Sequence, residues 1–329
     1  MTKPEIVVLD GFTLSPQPPG SESIAEPSWA GLAALGNLRV YPRTAPSEIS
    51  ERCQHADVIL TNKVPITATT LDALPALRYI GVMATGTNIV DIAAASARGI
   101  LVTNVPGYST MSVAQHVFAL LLELAAQTGP SAAAVASGAW SRCPDFSFTV
   151  ATFHELAGKT FGILGFGAIG QAVARIAEAF LMPVLVYSRS RKPSQIPVEW
   201  VDHPDEIFKR SDVISLHCPL TPETHQIVNT QRLALMKQQA FLINTARGPL
   251  IDEAALAAAL HAQQIAGFGG DVLSTEPPAP NNPLLVAPNT VITPHIAWAS
   301  REARMRLMQT LETNLKAWLD GCPIHQVLP

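Results

Sequence analysis

A chain of 329 residues is longer than one hydrophobic core usually organises, and so points to two domains. Its composition, 48% apolar and 15% charged, can fill two cores and excludes a disordered chain. A formal charge of −4, a sequence pI near 6.1 and no lysine- or arginine-rich block leave no electrostatic footprint for nucleic acid or an anionic membrane as partner.

Cys53, Cys143, Cys218 and Cys322 are scattered, with neither a C-x-x-C pair nor metal-ligand spacing. They read as reduced thiols of a cytoplasmic protein, and no metal site is expected. The N-terminus reads as a strand rather than a signal peptide. Lys3 is its basic residue, and Glu5 and Asp10 bracket the short run Ile6-Val7-Val8-Leu9.

In chain order, the first hundred residues alternate short strands with helices. Strands are expected at Glu5–Asp10, Leu38–Tyr41, Asp57–Thr61, Leu77–Met83 and Ile100–Asn104. Helices are expected at Thr67–Leu74 and Asp91–Arg98, the second ended by Gly99. Such alternation predicts a parallel sheet with helices on both faces. Residues 15–28, rich in Pro, Ser, Gly and Glu, read as a surface loop.

A long helix follows from Met111 to Ala126. Val113, Val117, Leu120, Leu121 and Leu124 share one face, and Phe118 and Leu122 add apolar surface elsewhere. It is either a domain-linking or subunit-contact helix, or an ordinary core helix. Its apolar core, Val113 to Ala126, is shorter than a membrane span of ~20 residues and contains Gln115, His116 and Glu123. Residues 127–157 have no clean periodicity. The stretch around Gly138-Ala139-Trp140-Ser141 reads as a surface excursion, and such long loops are often functional.

From Lys159 the alternation sharpens. Strands are expected at Thr160–Leu164, Pro183–Ser188, Asp212–Cys218, Phe241–Thr245, Gly267–Val272 and Val291–Thr293. Helices are expected at Ala168–Phe180, Asp205–Arg210, Thr230–Lys237 and Asp252–Gln263, with Asp252 as an N-cap. A last helix runs from Ser300 to Asp320 and stops at Gly321.

Gly165-Phe166-Gly167-Ala168-Ile169-Gly170 follows the strand Thr160–Leu164 and opens a helix. That context turns a weak G-x-G-x-x-G match into a dinucleotide fingerprint. Gly165 permits the turn, Gly167 lets backbone approach a pyrophosphate, and Gly170 lets helix pack on strand. The N–H groups near Ala168 and Ile169 then face the phosphates. Eighteen residues after Gly170, where a ribose-binding carboxylate is expected, stands Ser188, followed by Arg189, Ser190, Arg191 and Lys192. Serine and arginine there would hydrogen-bond and neutralise a 2′-phosphate. NADP(H) is therefore the preferred cofactor. NAD(H) remains possible if these residues are only solvated surface charges.

Three later segments each end a strand of this second unit. They are Asn244-Thr245-Ala246-Arg247-Gly248, Gly270-Asp271-Val272-Leu273-Ser274-Thr275-Glu276-Pro277 and Thr293-Pro294-His295-Ile296-Ala297. Ligands of open parallel sheets bind outside the strands' carboxyl ends, so Arg247, Glu276 and His295 are candidates for one crevice.

With these segments the sequence resembles the D-isomer-specific 2-hydroxyacid dehydrogenases. The resemblance extends to Gly86-Thr87-Asn88-Ile89-Val90-Asp91, to Ser112-Val113-Ala114-Gln115 and to His217-Cys218-Pro219-Leu220-Thr221-Pro222-Glu223-Thr224. Within the family it looks most like the glyoxylate/hydroxypyruvate reductase and glycerate dehydrogenase branch. The resemblance implies two doubly wound parallel-sheet α/β domains, a Rossmann cofactor domain (104–295) inserted in a flavodoxin-like substrate domain (1–103 and 296–329). Two crossings between them imply a hinge whose closure excludes water.

The implied reaction is reduction of a small 2-keto acid, glyoxylate or hydroxypyruvate, to the D-2-hydroxy acid. His295 would be the general acid and, in reverse, the base. Glu276 would orient the ring and stabilise its charged form. Arg247 would hold the substrate carboxylate and polarise the keto oxygen. Backbone N–H groups of Ala84, Thr85 and Gly86 would complete the carboxylate site. Asp271 resembles the position that meets the nicotinamide carboxamide. Thr245 and Ala246 fall beside the ring, and His217, Cys218 and Pro219 beside its ribose. Thr224 belongs to the same cofactor-contacting segment. A nucleophilic role for Cys218 is disfavoured, since no activating pair is visible.

Glu276 stands where a formate dehydrogenase would carry glutamine, and Val82-Met83-Ala84-Thr85-Gly86 lacks the lysine of a phosphite dehydrogenase. No regulatory domain of the phosphoglycerate dehydrogenase kind is expected after the last helix. A homodimer is implied, with the Met111–Ala126 helix and residues 127–157 as the contact and Trp140 reaching toward the partner. The alternatives are a nicotinamide-sensing, corepressor-like binding protein and a dehydrogenase for a larger 2-keto acid.

Overall fold

The structure is a computed structural model that describes residues 3–14 and 28–329. The loop expected at 15–28 lies outside the described residues except for Ser28. The chain divides into two compact units, Met1–Ser109 with Ala299–Pro329, and Thr110–Trp298. Residues 104 and 105 are tied into the first unit: Asn104 N donates to His325 O and Val105 N to Ala84 O.

The first unit runs β1 (Glu5–Val8), α1 (Ala30–Leu35), β2 (Asn37–Val40), α2 (Ile49–Cys53), β3 (Val58–Thr61), α3 (Ala68–Asp72), β4 (Tyr79–Val82), α4 (Ile92–Ala97) and β5 (Leu101–Thr103). All pairings are parallel, in the order β2-β1-β3-β4-β5. This is the flavodoxin-like arrangement. Central strands of such a sheet are covered on both faces, which is why β3 and β4 are buried at every residue and are largely apolar rather than alternating. Helix starts follow local chemistry. Thr67 caps α3 through Thr70 N, and Asp91 caps α4 through Ala94 N. Gly99, at φ +70°, ends α4.

The second unit begins with α5 (Thr110–Ala126) and α6 (Thr128–Ala136). It continues with β6 (Phe161–Leu164), α7 (Ala168–Ala179), β7 (Val184–Tyr187), β8 (Glu199–Trp200), α8 (Pro204–Arg210), β9 (Val213–Leu216), α9 (Thr230–Leu233), β10 (Phe241–Asn244), α10 (Glu253–His261), β11 (Gly267–Gly270) and β12 (Thr290–Ile292). Its sheet is wholly parallel in the order β12-β11-β10-β9-β6-β7-β8. The order reverses direction between β6 and β9, the switch point at which doubly wound sheets bind dinucleotides. Asp252 caps α10 through Ala255 N. The chain then returns to the first unit as α11 (Arg301–Leu319), capped by Ser300 through Ala303 N and followed by Gly321 at φ +78°.

Helix α5 is a core helix of the second unit. Val117, Leu120, Leu121 and Leu124 are buried in one cluster with Phe161, Ile163, Phe241 and Ile243 of the sheet. Residues 127–157, read as an excursion without regular structure, instead hold α6 and a short 3-10 turn at Trp140–Arg142. Helix α6 escaped detection because none of its residues is buried, so its sequence TGPSAAAVA carries no apolar stripe. The two-residue strand β8 was also unforeseen, and the helix expected at Thr230–Lys237 is a single turn. Among the described residues no single helix is long and apolar enough to cross a membrane. Helices α5 and α6 pass such a test only as a pair bent by 59°.

Candidate active site

The expected site residues of the second unit gather where its strands end. The glycine turn follows β6, with Gly165 at φ +98°, a conformation side chains rarely adopt. A Cβ on Gly170 would lie 2.3 Å from Gly165 O, so helix and turn touch there. A Cβ on Gly167 would meet no protein atom within 4 Å, and no side chain caps α7. The first intrahelical bond comes from Gln171 N to Gly167 O, which leaves the earlier N–H groups, Ala168 and Ile169 among them, without intrahelical acceptors. An open, uncapped helix start of this kind fits a pyrophosphate. A second observation agrees: the Thr245 hydroxyl, beyond the end of β10, is buried with no hydrogen-bond partner. A bound nicotinamide would give it one.

Ser188, partly exposed, and Arg189 and Ser190, both exposed, follow β7. The Glu223 carboxyl is held below the usual range, first by a hydrogen bond with the Thr221 side chain and in smaller part by the Arg189 guanidinium. Arg191 is engaged elsewhere, with Asp202 at 2.6 Å. After β9 comes His217, whose Nε2 lies 2.9 Å from Ser215 Oγ. Part of its surface reaches solvent, but the density of protein around the ring pushes its pKa down to about 3. Burial pushes the Cys218 thiol up to about 11, which keeps it protonated near neutral pH and disfavours a nucleophilic role. Pro219 is exposed, and its carbonyl accepts from the Thr224 hydroxyl at 2.7 Å. That same hydroxyl accepts from Thr221 N, so it closes its own loop.

The low value at His217 has a consequence for stability. An unfolded histidine titrates near 6.5, so the unfolded chain binds more protons between pH 6.5 and 3, and stability falls as pH falls through that window. The loss expected between pH 7 and pH 5 is about 2 kcal/mol from this residue. Chemical unfolding of wild type and His217→Asn at both pH values checks it. The variant should lose correspondingly less, and an equal loss would refute the assignment.

The three polar segments follow β10, β11 and β12, which are neighbours in the sheet. Asn244, fully buried, clips the first: Ala246 N donates to its Oδ1 at 3.0 Å and its Nδ2 donates to Arg247 O at 2.9 Å. The Arg247 side chain is exposed and donates to Ala246 O. A Cβ on Gly248 would lie 2.0 Å from the Leu273 carbonyl carbon, so only glycine lets the Arg247 turn pack on the turn after β11. In that turn Glu276 Oε1 accepts from Leu273 N, and its Oε2 lies 2.6 Å from His295 Nδ1. His295 and Glu276 side chains are 33% and 36% exposed, so the pair is open to a ligand. Among the described residues His295 Nε2 has no partner. Asp271 is buried, and its carboxylate accepts from Thr293 Oγ1, Ile296 N and Ala297 N.

In the first unit, Ala84, Thr85 and Gly86 form a turn beyond β4. Ala84 O accepts from Val105 N, Thr85 O accepts from Asn104 Nδ2 at 2.7 Å, and Thr85 Oγ1 donates to Val105 O at 2.8 Å. With its carbonyls tied, the turn leaves the Thr85 and Gly86 N–H groups without acceptors among the described residues.

At the ends of its strands the second sheet carries an open, uncapped glycine turn and a histidine–carboxylate pair open to a ligand, an arrangement suited to dinucleotide-dependent reduction of a carbonyl. The class is that of nicotinamide-dependent oxidoreductases. Residues 118–297 match the D-isomer specific 2-hydroxyacid dehydrogenase, NAD binding domain. The chain is 43% identical to a hydroxypyruvate reductase of Blautia hydrogenotrophica, over 98% of this chain and 99% of that protein. It is 43% identical to a glycerate dehydrogenase of Methylorubrum extorquens, over 86% and 88%. The crystal structure of an NADPH-dependent glyoxylate/hydroxypyruvate reductase from Sinorhizobium meliloti, in complex with NADP and malonate, superposes with a TM-score of 0.84 at 28% identity, covering 99% of this chain and 97% of that one. The chain belongs to the D-isomer-specific 2-hydroxyacid dehydrogenase family.

Sequence reasoning did not find Asn244 as a clip for Arg247. It also missed His116 and Thr293, which meet Asp271. The usable signal was His116 itself, a polar residue inside an apolar helix, four residues after Ser112.

Proposed function

We propose that the protein reduces small 2-keto acids, glyoxylate and hydroxypyruvate first among them, to D-2-hydroxy acids with NADPH as preferred coenzyme. The His295–Glu276 pair carries this reading. One ring nitrogen is fixed at 2.6 Å from a carboxylate, and the other is left without a partner among the described residues, two strands along the sheet from Arg247 with the strand that precedes Glu276 between them.

The nicotinamide, when bound, supplies hydride to the keto carbon. His295 Nε2 gives the proton to the keto oxygen and takes it back in the reverse direction. Glu276 fixes which nitrogen faces the substrate. Arg247 holds the substrate carboxylate through two parallel bonds and draws charge from the keto oxygen. On the family resemblance, the N–H groups of Ala84, Thr85 and Gly86 join the carboxylate's donor set. The unit Thr110–Trp298 is then the cofactor domain and the other the substrate domain. Gly165, Gly167, Ala168, Ile169 and Gly170 cradle the pyrophosphate. His217, Cys218 and Pro219 line the ribose, and Thr224 shapes their loop. Thr245, Ala246 and the remaining acceptor capacity of Asp271 meet the nicotinamide.

NADPH absorbance followed with glyoxylate and hydroxypyruvate tests the reading, and turnover with either supports it. Turnover only with larger 2-keto acids would move the substrate class. NADPH binding with no turnover of any 2-keto acid would favour the nicotinamide-sensing alternative.

The 2′-phosphate preference rests on Ser188, Arg189 and Ser190. Ser188→Asp places a carboxylate where the phosphate would sit. The expected result is a fall in kcat/KM for NADPH of about tenfold or more, with NADH unchanged or improved, since one repelled charge at a hydrogen-bonded site is worth about 1.5–3 kcal/mol. Wild type that uses NADH as well as NADPH would refute the preference.

The homodimer reading draws on exposed Trp140, Phe146, Phe148, Val150 and Phe153, an apolar set larger than a solvated loop needs. Sedimentation at micromolar concentration should give twice the chain mass, and a clean monomer would refute it. Four scattered thiols suit a reducing cytoplasm.

A further inference from the structure

The segment that carries His295 is held in an unfavourable shape. His295 has φ +56°, the left-handed region, which costs a non-glycine residue about 1–2 kcal/mol. Such a conformation persists only where its surroundings over-determine it. Here they do so on every side. Asp271 Oδ1 accepts from Thr293 Oγ1 at 2.5 Å and from Ile296 N at 2.8 Å, and its Oδ2 accepts from Ala297 N at 2.7 Å. Trp298 Nε1 donates to His295 O at 2.9 Å.

Helix α5 grips the same segment at both ends. Ser112 Oγ donates to Ala297 O at 2.6 Å, and His116 Nε2 lies 2.8 Å from Thr293 Oγ1 and 3.5 Å from Asp271 Oδ1. Ser112 and His116 are one helical turn apart and so share a face. Thr293 and Ala297 are likewise four residues apart and flank His295. The protons can be assigned. A carboxylate only accepts, so the single Thr293 proton goes to Asp271, and the Thr293 oxygen must accept from His116 Nε2–H.

We propose that His116 is a positioning residue for His295, acting through Thr293 and Asp271. It rests on the reading of His295 as the acid–base group. His116 itself touches no reacting atom. Its N–H completes the hydrogen bonds of a half-buried hydroxyl that is bonded in turn to a buried carboxylate. These hold the backbone at 293–297 and with it the direction of the His295 ring. Leaving the half-buried Thr293 oxygen without its donor loosens its hold on the buried Asp271 carboxylate and frees the strand end to relax. A shift of about 1 Å in a proton donor can lower turnover by as much as 10²-fold.

The test compares His116→Leu, which keeps bulk and loses the donor, with His116→Gln, whose Nε2 amide can still donate to Thr293. His116→Leu should lower kcat about tenfold or more, with little change in KM for the keto acid or in NADPH affinity. His116→Gln should recover most of the loss. His116→Leu combined with Thr293→Val should be no worse than either alone, because both remove one hydrogen bond. Three results would overturn the proposal: full kcat in His116→Leu, equal impairment in His116→Gln, or losses that simply add in the double variant. A His295→Ala control separates the two readings. If it is inactive while His116→Leu is fully active, only the positioning role fails. If it retains activity, both fail.

Discussion

Replacing His295 by alanine should lower kcat by about 10²–10⁴-fold, the usual contribution of a general acid–base group. The size follows from the role proposed for the ring. On the proposed mechanism the keto oxygen gains a proton as the carbon gains hydride, and among the described residues His295 Nε2 has no competing partner. Its other nitrogen is engaged by Glu276 Oε2 at 2.6 Å. Loss of the ring should leave NADPH binding intact, since the pyrophosphate cradle is proposed at the turn after β6. Stopped-flow or steady-state NADPH absorbance, with coenzyme affinity measured by fluorescence titration, separates the two. A His295→Ala enzyme within tenfold of wild type would remove the histidine from the chemical step. Equal loss of coenzyme binding would mean that the substitution had damaged the fold.

Replacing Arg247 by lysine should lower kcat/KM for the keto acid by about 10²-fold or more, despite the retained charge. A guanidinium meets a carboxylate through two parallel N–H donors, and an ammonium cannot reproduce that fork. Truncating one partner of such a pair costs about 2–5 kcal/mol, which sets the scale. The backbone around Arg247 is fixed from below by the Asn244 clip and by the close approach of Gly248 to Leu273. The side chain therefore cannot easily recruit a replacement geometry from its turn. Both terms should move: KM upward because the carboxylate is held less well, and kcat downward because the polarising charge is displaced. A lysine variant with unchanged kcat and KM would exclude Arg247 from the substrate's surroundings.

The second sheet illustrates why some of this was legible early. Gly165, Gly167 and Gly170 sit within six residues of one another, between a strand and a helix that are themselves local patterns. Asp252, Asp91 and Ser300 cap the helices they precede, because a cap bonds only two or three residues ahead. The end of a strand is likewise a local event, so Arg247, Glu276 and His295 could be assigned to strand ends from their flanking residues. Helix α6 was not legible because it buries none of its residues, and burial is what imprints a period on a sequence.

What the sequence by itself determined, then, were the parallel α/β class, the dinucleotide turn and the residue types available to the chemistry. Each depends on neighbours a few positions apart. Only the tertiary structure decided how those residues are held. Glu276 and His295 are 19 residues apart, His116 and Thr293 are 177 apart, and Ser112 and Ala297 are 185 apart. No periodicity or propensity encodes such pairings. They come into being when two strand ends and one helix are packed against a common core, where a buried carboxylate must find its donors or forfeit its place.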